Sequence, residues 1–422
     1  MKLEDLLKVY QRDEKYLVLN PLIPVWIITN LNGVILVKVY AEKKSIQKTI
    51  EELERYTRNI SAQSITNFLN KVRGKGLFNV PAAPFVHKPY TLRAVYLNMS
   101  PCCNLNCIYC FASEREENNY KMVFDDYRKV LNSVKNYNPY SEIIFTGGEP
   151  LLSELTMPVA EYSKGLGLTN KLMTNATLIT EKNIKKIVEV FDSIKISLDG
   201  STAEKHNFYR GNGSYERTIK AIELLDKFNS NISLAMVVTK NNCSDITSMA
   251  QKWGGRLTFQ PLFPLGNAKK NENLYLSGRE YFDVLKSAGV VPYADLRNMI
   301  KSHTATKNVL KCALGDAEVS ISSSGDVYPC QLLHYDIFKV GNLKDKSFDE
   351  IYNSKEMERF KMHTADCITK CRNCDFKLLC GGACQARHFS ETGNLDITGN
   401  FCEYEQNAII EGLISSATLQ LM

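Results

Sequence analysis

The stretch CNLNCIYCF, residues 103–111, decides how the rest of the chain is read. It sets Cys103, Cys107 and Cys110 at C-x3-C-x2-C with Phe111 directly behind them. A four-iron, four-sulfur cluster normally takes four cysteines, so three thiolates leave one iron open to an outside ligand. Zinc, the competing occupant, prefers four ligands, usually in two close pairs, and this run offers three. Cys102 falls one residue outside the pattern and reads as a small buried side chain.

The cysteine run follows LRAVYLN (92–98), an extended β-branched and aromatic segment, and the same unit recurs downstream. EIIFT (142–146), KLMTN (171–175), SIKISLD (193–199), ISLAMVV (232–238) and RLTFQPL (256–262) each precede a turn and a stretch with helical apolar spacing. Ile219, Ile222, Leu225 and Phe228 mark one such helix. Six β-α units from Arg93 to about Ala288 predict a parallel α/β sheet that binds ligands beyond the carboxyl ends of its strands.

Working outward, Pro81, Pro84 and Pro89 in VPAAPFVHKPY oppose helix and inner strand, so residues 81–92 read as a linker. Residues 1–80 then form a small domain. Its expected elements are extended segments YLVLN, VWIITN and GVILVKVY, then two amphipathic helices near Ser45–Thr57 and Ser61–Val72, ending in GKGLFNV. The β-α series occupies 93–300, and from 301 to 422 cysteine, glycine and aspartate replace its periodicity.

A chain of 422 residues with 44% hydrophobic content can fill two or three cores. Its 52 basic against 46 acidic residues form no tail or stripe, which gives no case for a nucleic-acid partner. No secretion signal opens the sequence, and Asn30, Asn32, Gly33 and Lys38 interrupt its most apolar stretch, so neither export nor a membrane partner is expected. Thirteen cysteines, four at 102–110, one at 243 and eight from 312 onward, suit metal binding in a reducing cytoplasm better than disulfides. Cys243 reads as structural.

With these residues in view, the C-x3-C-x2-C loop behind a first strand resembles the radical S-adenosylmethionine (SAM) superfamily. That resemblance implies a partial (β/α)6 TIM barrel and a [4Fe-4S] cluster on Cys103, Cys107 and Cys110 whose open iron takes SAM. It further implies that Gly147 and Gly148 of the GGEP turn let backbone carbonyls approach the SAM amine, with Glu149 and Pro150 fixing the turn. Ser197 would bond a ribose hydroxyl, Arg210 the SAM carboxylate, Tyr109 the adenine through its backbone, and Leu262 would pack on the adenine ring. Asn175 is a ribose contact or a turn former.

The later cysteines run Cys312, Gly325-x4-Cys330, Cys371-x2-Cys374-x5-Cys380-x3-Cys384 and Cys402. This resembles the seven-cysteine SPASM extension of radical SAM peptide-modifying enzymes. It implies two auxiliary clusters and so three [4Fe-4S] clusters in all. The outer would lie on Cys371, Cys374, Cys380 and Cys402. The inner would lie on Cys312, Cys330 and Cys384, its fourth iron left to Cys367, another residue or an open site. A zinc ribbon is the alternative.

Residues 1–80 resemble, in pattern, a small α+β, winged-helix-like PqqD element that grips the leader of a ribosomally made precursor peptide by strand addition; a winged-helix or plain structural domain is the alternative. The combination is similar to sactipeptide and ranthipeptide maturases and implies thioether formation, with a flavodoxin or ferredoxin as electron donor. Carbon-carbon crosslinking and epimerisation use the same parts. Sulfatase maturation would need an aspartate where this chain has Gln331, although Asp336 is near, and a non-enzymatic zinc protein would leave GGEP and SLDG unexplained.

Overall fold

The computed structural model describes residues 3–55, 61–81, 90–113, 119–290 and 311–415. The chain opens with a short helix, α1 (Leu3–Leu6), and an antiparallel meander of β1 (Lys8–Arg12), β2 (Lys15–Asn20) and β3 (Val25–Thr29). Helices α2 (Leu31–Lys43), α3 (Ile46–Glu54) and α4 (Ala62–Gly74) follow. Ser45 and Ser61 cap the last two, accepting from Lys48 N and Ser64 N, as serines at these positions should.

One expectation is overturned here. GVILVKVY is helical, not extended. Asn30 accepts from Gly33 N at 3.0 Å and starts α2. Val34, Leu36, Val37, Tyr40 and Ala41 then fall on one buried face, so helical spacing outweighs a β-branched composition. The third strand of the meander is instead supplied by β1, which the sequence reading left out.

The six expected strands form as β4 (Ala94–Ser100), β5 (Glu142–Gly147), β6 (Thr169–Thr174), β7 (Ser193–Ser197), β8 (Ile232–Val238) and β9 (Leu257–Pro261). They lie side by side in chain order, all parallel. Between them run α5 (Phe124–Tyr137), α6 (Thr156–Gly165), α7 (Ile184–Val190), the pair α8 (Ala203–Arg210) and α9 (Ser214–Lys227), and α10 (Ile246–Trp253); α11 (Gly278–Ser287) follows β9. Phe228, just beyond α9, is exposed rather than part of that helix's apolar stripe.

Alternation along the strands separates two faces. Val95, Leu97, Phe145, Leu172, Ile194, Ile196, Leu234 and Met236 are buried in the same core as the helix residues Leu131, Val134, Val159, Ile187 and Leu225. Tyr96, Thr146, Lys171, Met173, Lys195, Ser197 and Gln260 occupy the opposite, inner face and are only partly covered. The sheet does not end at β4. The C-terminal region adds β10 (Glu318–Ile321), parallel to β4, then β11 (Asp326–Tyr328) and β12 (Gly341–Asn342), giving nine strands. These short strands carry too little pattern to be read from sequence.

Leu92 is buried in the main core, and its carbonyl accepts from Asn138 Nδ2 and Ser141 Oγ, so the end of the expected linker is already docked. Most of that linker, and the expected boundary at residue 300, lie outside the described residues. Among the described residues no helix is long and apolar enough to cross a membrane.

Candidate functional site

Loops from the carboxyl ends of several strands converge on the Cys103–Cys110 run. Gly147, at φ +133°, and Gly148 lie where a Cβ would run into the carbonyls of Ser100 and Cys102. Only glycine admits this approach. Gly148 N donates to Ser100 O at 2.8 Å and Glu149 N to Cys102 O at 2.9 Å. Cys102 itself is exposed, which corrects the expectation that it is a buried space-filler. Its carbonyl, not its thiol, is the part held by the fold.

The Glu149 carboxylate is buried and points back into the protein. It accepts from Leu151 N, Thr174 Oγ1 and Asn175 N at 3.2, 2.8 and 2.9 Å. Burial pushes its pKa up, and these three donors work against that rise. Asn175 is likewise occupied, its Nδ2 donating to Asn104 Oδ1 at 3.0 Å and approaching Cys103 Sγ at 3.7 Å. Both residues thus hold the cysteine loop in place.

Three residues beyond β9 complete the clamp. Gly266, past β9, packs on the Cys110 carbonyl. Asn267 Nδ2 donates to Cys107 O at 3.1 Å, and Asn271 Nδ2 to Ile108 O at 2.8 Å. The signal was faint: a Gly-Asn pair and a second asparagine in a loop beyond the last strand.

Arg210 is buried and already engaged. Its Nε donates to the Asp199 carboxylate, which also takes the Tyr109 hydroxyl, and its Nη2 donates to Tyr109 Oη at 3.0 Å. Asp199, fully buried, accepts from Val237 N at 2.9 Å as well. Its own N–H donates to His206 Nδ1 at 3.2 Å, fixing the imidazole tautomer. Asp199 stands in the SLDG motif, and nothing in the sequence points to these partners. Tyr109 and Leu262 share a buried apolar cluster with Tyr209, Ala268 and Leu274, and Ser197 ends β7 on the inner face.

Burial holds most of the cysteine thiols protonated, and neighbouring cysteines add to the effect. Burial raises the Cys107 thiol to about 11, with Arg210 opposing and Cys110 and Cys103 adding to the rise; Cys103 is raised by burial and in part by Cys110. Cys330 is pushed up by burial, then by Cys312 and Cys384, and Cys384 rises to about 12 through burial and Cys312. Cys371 rises to about 11 through burial, Cys402 and Cys374, and Cys380 through burial, Glu405, Cys402 and Cys371. Cys367 lies in the turn before Cys371, its N–H donating to Thr364 O. Among the described residues no three His, Cys, Asp or Glu side chains converge as a single ion requires.

Such all-sulfur sets have the donor chemistry of iron-sulfur centres, and the first, with three thiols, could hold a cluster with one open iron. Residues 97–252 match the model of the radical SAM superfamily, and residues 312–375 match that of the SPASM iron-sulfur cluster-binding domain. The chain carries a radical SAM domain and a SPASM domain. These domains imply [4Fe-4S] clusters and SAM as cofactors. An AdoMet-dependent heme synthase of Methanosarcina barkeri is 26% identical over 74% of this chain and 96% of its own. A cysteine-type anaerobic sulfatase-maturating enzyme of Clostridium perfringens is 25% identical over 70% and 89%. Streptococcus suis SuiB, solved with its precursor peptide SuiA, shares the fold with a TM-score of 0.60 at 16% identity, covering 94% of this chain and 99% of its own. Residues 81–422 alone cannot supply that coverage, so the shared fold extends into the N-terminal domain.

Proposed function

We propose that this radical SAM enzyme modifies a ribosomally made precursor peptide, with thioether formation as the product chemistry. The reading is supported by the Cys103–Cys110 loop, clamped at the mouth of the sheet, together with the match of residues 97–252 and 312–375 to the radical SAM and SPASM models. Cys103, Cys107 and Cys110 would hold the SAM-binding cluster, Cys312, Cys330 and Cys384 the inner auxiliary one, and Cys371, Cys374, Cys380 and Cys402 the outer. Bound there, cluster and SAM would supply the chemistry of hydrogen-atom abstraction.

The protein's own part is to hold and orient. Gly147, Gly148, Glu149, Asn175, Asn267 and Asn271 fix the cysteine loop. Ser197, Arg210, Tyr109 and Leu262 border the space assigned to SAM, with Asp199 keeping the guanidinium charged and aligned. The inner face of β4–β9 is the substrate cavity, directly beneath that space.

Two features support a peptide substrate. The SuiB-like fold spans the N-terminal domain, and Leu31 and Ile35 of α2 are exposed beside the outer strand β3, an apolar strip suited to a leader added as a further strand. Sulfatase maturation is disfavoured by Gln331, and Asp336 does not replace the missing acid: it is exposed and bridged to Lys339. The heme-synthase relatives offer the second reading, a porphyrin substrate.

Anaerobic preparation, iron and sulfide analysis, and reduction with SAM test the proposal. Expected are iron and sulfide near twelve each, 5′-deoxyadenosine from the wild type, and none from Cys103→Ala, Cys107→Ala or Cys110→Ala. Flavodoxin or ferredoxin is the expected reductant. Co-expression with a short cysteine-rich peptide encoded beside the gene, followed by mass spectrometry, should show loss of two hydrogens per crosslink. A zinc-only protein, or full activity in any of the three variants, refutes the reading.

A further inference from the structure

Lys195 is the unusual residue of the inner face. It lies on β7 between Ser193 and Ser197, flanked by Ile194 and Ile196, which are buried on the helix side. Alternation therefore turns Lys195 inward, one side-chain layer below Ser197. Its neighbours across the sheet are Met173 on β6 and Ser233 on β8. Lys171, two residues before Met173 on the same face, brings a second lysine whose Cα is about 8 Å away along the diagonal.

The two lysines differ in their partners. Lys171 has Glu142 at 3.8 Å, a loose pairing. Lys195 has no hydrogen bond or ion pair among the described residues. A lysine that runs along a wall to reach water keeps an ordinary pKa. Lys195 does not: burial pulls its pKa down first, and the charge of Lys171 pulls it further. A desolvated cation with a like charge beside it and no counter-ion is costly to maintain. The fold retains one immediately beneath the proposed SAM site.

We propose that Lys195, aided by Lys171, receives a carboxylate of the substrate in the inner cavity. This rests on the reading of that cavity as the substrate site and gives the substrate a chemical class: a segment bearing an acidic group close to the attacked position. The carboxylate would be an aspartate or glutamate side chain or a chain terminus. An incoming anion supplies the missing counter-charge, and a charge-assisted bond in a poorly solvated wall is stronger than one at the surface. It would also fix the depth at which the chain sits below Ser197.

Three N-acetylated dipeptides serve as probes: N-acetyl-aspartyl-glycinamide, the neutral N-acetyl-asparaginyl-glycinamide, and N-acetyl-asparaginyl-glycine with a free carboxyl terminus. Acetic anhydride labelling of the full chain, followed by mass spectrometry, reads the modification rate of Lys195 against the exposed Lys129. At a probe concentration about nine times its dissociation constant, a carboxylate probe should slow Lys195 labelling about tenfold and leave Lys129 unchanged. Protection by the aspartyl probe assigns the carboxylate to a side chain, and protection by the free-terminus probe alone assigns it to a chain end. Equilibrium dialysis of the protecting probe should show loss of about tenfold or more in affinity for Lys195→Met, with recovery in Lys195→Arg.

Equal protection by the neutral and acidic probes, or unchanged affinity in Lys195→Met, overturns the proposal. Both measurements work without SAM turnover. Absence of 5′-deoxyadenosine from the loaded wild type would defeat the proposed enzyme while leaving the Lys195 result readable.

Discussion

The hydroxyl of Tyr10 donates to the Asp375 carboxylate at 2.7 Å, tying the first strand of the N-terminal domain to the residue that follows Cys374. The Tyr10 ring lies 4.8 Å from that of Phe376. Around them Leu17, Leu19 and Ile28 share a core with Leu379, Ile409, Ile410, Leu413 and Ile414. Arg12 Nη2 adds a bond to Asn407 Oδ1 at 2.6 Å. The domain proposed to grip the leader thus packs on the shell of the outer thiol group.

Tyr10→Phe should loosen this junction without unfolding either side. Loss of one half-buried bond to a charged acceptor is expected to cost about 2 kcal/mol. The change should appear as faster protease cleavage between the N-terminal domain and the sheet, with far-ultraviolet circular dichroism unchanged. A cleavage rate equal to that of the wild type would mean that the apolar contact alone holds the domain.

Asp199→Asn should be severe. It removes the charge that compensates a buried guanidinium, and breaking one partner of a buried pair costs about 3–5 kcal/mol. Denaturant unfolding should show a loss of that order together with weakened SAM binding. Tyr109→Phe, which leaves the Arg210–Asp199 pair intact, should cost less than half as much.

The contrast between these two sites measures what the sequence could convey. The strands β4 to β9 were legible because each joins β-branched or aromatic residues to a turn, and the cysteines because their spacing is the chemistry. GVILVKVY was not legible as a helix because its composition favours a strand, and the deciding bond, Asn30 to Gly33, is a local capping choice. Asp199 was visible in the motif, but its partners Tyr109 and Arg210 stand 90 and 11 residues away in the chain. Only the folded sheet brings them together. Cys102 misled because burial of a cysteine was inferred from residue type, whereas its surroundings are set by the exposed rim of the loop.

Acidification should strike the same network through His206. Burial lowers its pKa from 6.5 to about 4, with the Arg210 charge as a secondary cause. A base held neutral in the fold binds its proton more readily when unfolded, so its cost to stability is absent above pH 6.5 and grows as pH falls toward 4. The full penalty is roughly 3 kcal/mol. Chemical denaturation between pH 7 and 4 should show this slope, and His206→Gln, which keeps an acceptor for Asp199 N, should flatten it by about one proton. An identical slope in the variant would place the acid sensitivity elsewhere.

Cys367→Ser separates the candidates for the inner group's fourth ligand. Cys312 and Cys384 help to raise the Cys330 thiol, whereas Cys367 sits in the turn leading to Cys371, held by its backbone bond to Thr364. A thiol there would have to leave that turn to reach the inner group. The variant should therefore retain wild-type iron content and an unchanged electron paramagnetic resonance spectrum after reduction. Cys330→Ser should lose about four irons. Loss of iron in Cys367→Ser would instead make that thiol a ligand and close the inner centre to any substrate sulfur.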